Sequence, residues 1–99
     1  MWILRALDGS DDRPLAFRLS PGSIKTMGRA RLADFHVDAP LVSRLHCRVT
    51  ATADGAVEVL DLGSTNGTWI DGNQVAGGTL AEGHILRVGR VEFVLERSE

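Results

Sequence analysis

A chain of 99 residues with a formal net charge of −2 can bury roughly two-thirds of its unfolded surface in one core, so it needs no metal or disulfide framework to fold. Its lone cysteine, Cys47, excludes an internal disulfide, and there is no apolar run of about 18 residues and no secretory signal pattern, so the expectation is one domain, residues 1–99, in a reducing, cytoplasmic setting. Residues 25–48 carry five basic against two acidic side chains, +3, while residues 1–24 balance and residues 49–99 sum to −5; with two Trp, three Phe and no Tyr, this is not the basic, aromatic stripe of a nucleic-acid binder.

Met1-Trp2-Ile3-Leu4 reads as the start of a first strand, Trp2 to Leu7, rather than as a targeting segment, and Asp8 to Pro14 is turn-rich. Leu15, Phe17 and Leu19 alternate with Ala16, Arg18 and Ser20, the period of two of a half-buried strand. Pro21-Gly22 supplies a turn, Ser23 to Met27 a third strand closed by Gly28-Arg29, and Asp34 to Val37 a short fourth. After Asp38 to Val42 comes Ser43-Arg44-Leu45-His46, a donor-rich stretch in which Leu45 reads as buried.

Cys47, Val49 and Ala51 then alternate up to Asp54-Gly55, which joins them to Val57 and Val59 as a hairpin. Gly63-Ser64-Thr65-Asn66-Gly67-Thr68 is a polar loop. Thr68 to Ile70, Asp71-Gly72 and Asn73 to Val75 predict another hairpin, and Gly77-Gly78 reads as a chain break. Leu86 and Val88, then Val91, Phe93 and Leu95, straddle Gly89-Arg90 as a closing hairpin. No segment keeps a 3.6-residue apolar period for three turns, so ten or so short strands predict an all-β sandwich, whose loops gather at its two ends.

Three loops carry the chemistry. Arg29 presents a planar fork of donors suited to a carboxylate or phosphate, although an isolated Gly-Arg equally fits a surface ion pair of little worth. Ser43 and Arg44 add a hydroxyl and a second guanidinium, Thr65 another hydroxyl. Asn66 offers a carboxamide that donates and accepts at once, the complement of a peptide unit, and Asn66-Gly67 is itself a turn signal. Such a rim suits an anion attached to an extended peptide.

Gly28-Arg29, Ser43-Arg44-Leu45-His46 and Asp61-Leu62-Gly63-Ser64-Thr65-Asn66-Gly67-Thr68, with Asp34 before the short strand and Glu82-Gly83 before the last hairpin, together resemble the forkhead-associated (FHA) domain over residues 22–95. The resemblance implies an eleven-stranded β-sandwich, FHA/SMAD-like, with its binding loops at one end. It implies a module of Ser/Thr kinase signalling or assembly that recognises phosphothreonine in a partner's flexible segment or in its own full-length chain, without enzyme activity, cofactor or metal, and without a nucleic-acid or membrane partner. It also assigns roles: Arg29, Ser43, Arg44 and Thr65 toward the phosphate, Asn66 toward the peptide main chain, Leu41 toward selectivity at the third residue after the phosphothreonine. Gly28, His46 and Gly67 support the site. Phe35 and His84 depart from the family pattern at positions read as packing or turn, and Trp69 reads as core or rim packing.

The residues support the division of labour. If Ser43 to His46 were extended, odd spacing would place Ser43 and His46 on opposite faces, so a phosphate-facing Ser43 turns His46 inward. The same parity separates them as a catalytic pair, and Asp34, Asp38 and Asp61 offer no oriented acid. His36, His46, His84 and Cys47 lack metal-ligand spacing, and no Gly-x-x-x-x-Gly-Lys-Ser/Thr phosphate loop occurs. The rival that remains is a phosphate-independent protein-interaction scaffold on the same fold, because a fold alone does not fix a function.

Overall fold

Period-two alternation decides which faces meet. Cys47, Val49, Ala51, Val57 and Val59 of one layer are buried against Leu4, Leu86, Val88, Phe93 and Leu95 of the other, while the intervening Arg48, Glu58 and Arg5 stay exposed. Each valine, leucine or phenylalanine among them taken fully from water contributes about 1.5–3 kcal/mol. The computed structural model describes residues 1–7 and 15–98, and the turn expected at Asp8 to Pro14 lies outside them.

Among the described residues there are eleven strands and no helix, hence no helix long and apolar enough to cross a membrane: β1 Trp2–Ala6, β2 Ala16–Leu19, β3 Ile24–Gly28, β4 Phe35–His36, β5 Cys47–Ala51, β6 Val57–Asp61, β7 Thr68–Ile70, β8 Asn73–Val75, β9 Gly77–Leu80, β10 Ile85–Val88 and β11 Val91–Arg97. They form a six-stranded sheet in the order β2-β1-β11-β10-β7-β8, packed on a five-stranded sheet in the order β4-β3-β5-β6-β9. The all-β sandwich of eleven strands is therefore observed.

Every pairing is antiparallel except β3 with β4, in the register Met27↔Phe35 and Gly28↔His36. Parallel neighbours normally need a crossover of a dozen or more residues. Here β4 meets only the last two residues of β3, so the short loop between them doubles back. Asp34 fastens that return: its carboxylate accepts the backbone N–H of Thr26 at 2.9 Å and the Thr26 hydroxyl at 3.1 Å, and its own N–H donates to that hydroxyl at 3.2 Å. These bonds from Thr26 hold the Asp34 carboxyl below its ordinary range.

Two expectations require correction. Gly77-Gly78 does not break the chain but opens β9, paired with Leu60 and Val59. The missing side chains serve close approach, since a Cβ on Gly78 would meet Ile70 Cδ1 of the opposite sheet at 3.4 Å and one on Gly77 would meet the Val59 carbonyl at 3.3 Å. Leu45 is not buried but 48% exposed, because Ser43 to His46 is a turn with Arg44 and Leu45 at its tip, not a strand.

Phe35, which with His84 departs from the pattern noted above, joins the two sheets at their edge. Its ring stacks on Phe17 of β2, centroids 4.5 Å apart and 10° from parallel, and Phe17 in turn touches Phe93 at 5.8 Å. Truncation leaves this contact unfilled. Phe35→Ala is expected to lower the unfolding free energy by about 3–5 kcal/mol, measured by urea denaturation, and a loss below about 1 kcal/mol would show that the edge closes without the stack.

Candidate functional site

Three loops meet at one end of the sandwich: β3–β4 (29–34), β4–β5 (37–46) and β6–β7 (62–67). The first two run side by side, with Arg29 N–H donating to the Ser43 carbonyl at 2.9 Å and Ala30 N–H to the Arg44 carbonyl at 3.0 Å. Gly28 makes this approach possible. A Cβ there would lie 2.0 Å from the Arg44 carbonyl oxygen and 2.7 Å from its carbon, backbone atoms that cannot swing away.

His46 ties the second loop to the third. It is 0% exposed; its Nδ1 accepts the Ser43 N–H at 3.0 Å and its Nε2 lies 2.8 Å from the Gly67 carbonyl. An Nδ1 that accepts leaves the proton on Nε2, so Nε2–H donates to Gly67. The sequence reading placed His46 inward for the wrong reason: the turn through Arg44 and Leu45 returns the ring beneath Ser43, rather than strand parity turning it away. Neither ring nitrogen faces the Ser43 hydroxyl, whose Oγ instead accepts the Thr65 N–H at 3.1 Å.

The β6–β7 loop is folded around Asp61. One carboxylate oxygen accepts the N–H groups of Gly63 at 3.0 Å and Ser64 at 3.1 Å; the other accepts the hydroxyls of Ser64 and Thr68, the latter at 2.7 Å. Ser64 Oγ accepts the Gly67 N–H at 3.0 Å, closing the loop on itself. Burial pushes the Asp61 carboxyl up, but the bonds from Ser64, Thr68 and Gly63 outweigh it and hold the group below its ordinary 3.8. Asp61 opens the loop motif in the sequence but carries no assigned role there; the signal for one is an Asp followed two and three residues later by turn residues whose N–H groups a carboxylate captures.

Between the loops lies a shallow cleft of about 360 Å³, walled by Arg29, Leu41, Val42, Ser43, Thr65 and Asn66 among others. Arg29 Nε donates to the Val42 carbonyl at 3.1 Å, which aims the guanidinium and leaves its terminal nitrogens uncommitted. Ser43 keeps its hydroxyl hydrogen to donate. Asn66 Nδ2 donates to the Leu41 carbonyl at 3.0 Å, leaving Oδ1 and one amide hydrogen for a ligand. Leu41, 44% exposed, has a left-handed backbone, φ 71°, which costs roughly 1–2 kcal/mol in a non-glycine residue. Its backbone is seated on Gly89 of the β10–β11 turn, where a Cβ would approach the Leu41 carbonyl to 3.0 Å. The sequence offered no pointer to that role of Gly89.

Arg29, Ser43, Thr65, Asn66 and Leu41 are thus brought to one cleft, and Gly28, His46 and Gly67 to its supports. Arg44 stands apart: it is exposed at the tip of its turn and does not line the cleft, its carbonyl being the group engaged. A second cleft of the same volume lies on the outer face of the five-stranded sheet among Arg48, Thr50, Glu58 and Leu60. It opposes a cation to an anion and gathers no set of convergent donors. Chemically, only the first can hold an anion and a peptide backbone together.

Comparison with known proteins gives the following. The family model described as the FHA domain matches residues 25–89. The chain is 32% identical over 80 residues, 81% of its length, to the ABC transporter ATP-binding/permease protein Rv1747 of Mycobacterium tuberculosis, and 33% identical over 97 residues, 88% of its length, to the FHA domain-containing protein FhaA of the same organism. It spans only 9% and 18% of those relatives.

Among solved structures it resembles the FHA domain of CT664 from Chlamydia trachomatis, TM-score 0.91 and 26% identity over 99% of this chain and 98% of that one. It also resembles the FhaA FHA domain complexed with the intracellular domain of Rv3910, TM-score 0.85 and 30% identity over 97% and 100%. A further structure, from a study of phosphothreonine-dependent FHA domain interactions, has TM-score 0.83 and 28% identity over 99% and 97%.

The Asp61 network generates an acid-sensitivity test. Because the folded carboxyl titrates below its ordinary 3.8, its stabilisation is complete above that value and is lost as the pH falls through the lower folded value. Asp61→Asn keeps one acceptor oxygen for the two N–H groups but sets an NH2 where the other oxygen accepts the Ser64 and Thr68 hydroxyls, so the variant is expected to be less stable at neutral pH and to lose less on acidification. Urea-unfolding midpoints between about pH 3 and pH 6 measure both, and parallel curves for variant and wild type would remove Asp61 from this role.

Proposed function

This chain belongs to the FHA domain family, and from that membership and the cleft geometry we propose that it is a phosphothreonine-dependent peptide-recognition module, with residues 1–99 acting as one binding domain. The observation that carries the reading is the convergence of Arg29, Ser43, Thr65 and Asn66 on one cleft, each with donor capacity unspent. The FHA domains it resembles are recognition modules, one of them complexed with the intracellular domain of Rv3910 and another studied for phosphothreonine-dependent interactions.

In this reading the terminal nitrogens of Arg29, the Ser43 hydroxyl and the Thr65 hydroxyl bind the phosphate, a dianion at neutral pH because its second pKa is near 6. Arg44 reaches the same anion from the rim. Asn66 pairs with the peptide main chain beside the phosphothreonine, and the exposed face of Leu41 favours an apolar residue at the third position beyond it. Recognition rather than catalysis is proposed because the Ser43 hydroxyl has Thr65 N–H as its neighbour and no base: both nitrogens of His46 are engaged elsewhere.

A reducing, cytoplasmic setting belongs to the same proposal. It is supported by the single, buried Cys47, whose thiol burial pushes up to about 12, beyond ready ionisation. The partner is a phosphothreonine-bearing segment of another protein or of this protein's own full-length chain.

A screen of an oriented phosphothreonine peptide library, followed by calorimetry on the best peptide and its unphosphorylated twin, tests the reading. The phosphopeptide alone is expected to bind. Arg29→Ala and Ser43→Ala each remove charge-assisted bonds worth about 1.5–3 kcal/mol, at least a tenfold loss, while the domain stays folded. His46→Ala is expected to lower affinity and unfolding temperature together, since it strands the Ser43 N–H and the Gly67 carbonyl. Equal affinity for both peptides would instead make this a phosphate-independent scaffold.

Affinity is also expected to fall as the pH drops below about 6, where the phosphate takes up a proton, while the free domain keeps its unfolding midpoint. A flat calorimetric response between about pH 5 and 7.5 would remove selectivity for the dianion.

A further inference from the structure

Asn66 is held from two directions, and the second of them lies outside the binding loops. Its side-chain Nδ2 donates to Leu41, whereas its backbone carbonyl accepts the indole Nε1–H of Trp69 at 3.2 Å. Thr68 and Ile70 of β7 point into the core, so Trp69 projects onto the outer face of the six-stranded sheet, where it is half-buried. Its cross-strand neighbours there are Arg87 of β10 and Gln74 of β8.

Those neighbours fix the ring. The Arg87 guanidinium carbon lies 4.6 Å from the indole centroid, and Arg87 Nε is buried without a hydrogen-bond partner. A buried N–H without a partner is costly, and the ring's negative face is what attracts a cation into that position. On the other side, a Cβ on Gly67 would stand 2.5 Å from Gln74 Nε2 and 3.1 Å from Trp69 Nε1. The two side chains therefore close over the backbone immediately after Asn66, at a residue whose φ of 89° already favours glycine.

We propose that Trp69 is a positioning residue for peptide recognition: through Nε1–H it fixes the Asn66 backbone so that the carboxamide faces the ligand main chain, with Arg87 holding the indole in place. The inference rests on the phosphopeptide reading and deepens it. Packing is thus a sufficient description of the ring but not of its N–H. Because Asn66 acts on the peptide main chain and Arg29 and Ser43 on the phosphate, the two kinds of contact separate experimentally.

Trp69→Phe keeps a ring for Arg87 and removes the N–H. Calorimetry is expected to show phosphopeptide affinity reduced about three- to tenfold, the scale of one hydrogen bond. Affinity for inorganic phosphate, followed by NMR titration, is expected to stay at the wild-type value. On an Asn66→Ala background the same change is expected to have no further effect.

Equal losses for peptide and phosphate, additive losses on the Asn66→Ala background, or an unchanged peptide affinity would each overturn the proposal. If Trp69→Phe does not fold, benzothienylalanine at position 69, which replaces N–H by sulfur in the same shape, carries the same expectations. A wild-type domain that ignores phosphopeptides overturns the recognition reading and this inference together. That outcome differs from one in which the wild type binds and the variant behaves like it.

Discussion

One buried imidazole bridges two loops that are remote from each other in the chain. His46 accepts from the Ser43 N–H and donates to the Gly67 carbonyl, and this pattern admits a single arrangement, a neutral ring with its proton on Nε2. Three further bonds join the same loops, from Leu62 N–H to the His46 carbonyl, from Thr65 N–H to Ser43 Oγ and from Asn66 Nδ2 to the Leu41 carbonyl, and of these the Thr65 bond requires Ser43 to be where His46 puts it. A buried donor or acceptor left without a partner costs about 1–3 kcal/mol, so both halves of the bridge are needed for the rim to be stable. The cleft is therefore a property of the folded core rather than of the loops that wall it.

Around that bridge the site is held by contacts within the domain itself. Asp61 organises one loop through its own carboxylate, Asp34 fastens another to Thr26, and Gly28 lets two backbones touch. Leu41 is kept in a left-handed conformation by Asn66 on one side and Gly89 on the other. Strain of this kind persists only where surrounding contacts overdetermine it. With the donors already aimed, little ordering is left to oppose binding, and a few polar contacts can supply most of the affinity without a large interface.

Much of the fold was legible because its signals are local. Alternation in Cys47 to Ala51 and Val57 to Val59, with Asp54-Gly55 between them, specifies a hairpin, and the two strands pair in the register Cys47↔Asp61 to Ala51↔Val57. The stretches around Leu86 to Leu95 and Thr68 to Val75 behave alike. The failures share one cause. Gly77-Gly78 resembles a break by composition, yet it forms an edge strand because its backbone pairs with Val59 and Leu60 of β6, a partner remote in the chain. Leu45 resembles a core residue by hydrophobicity, yet it sits at a turn tip because His46, not Leu45, must face inward. Asp61 and Trp69 were visible as residues but not as parts of the site, since their roles depend on N–H and carbonyl groups whose directions a sequence does not record.

What the sequence determined by itself is the all-β class, the place along the chain of the strands that alternate, and the set of donors held in reserve, because residue type and a period of two are sufficient for each. Which of those donors share a cleft was decided by tertiary structure. Arg29, Ser43 and Asn66 converge because the sandwich brings the three loops to one end, where backbone bonds from Arg29 and Ala30 join the first to the second and His46 joins the second to the third, whereas Arg44, adjacent to Ser43 in the chain, is left at the rim by the direction of a single turn. Proximity in the chain fixes neither facing nor distance; hydrogen bonds between remote backbone atoms do.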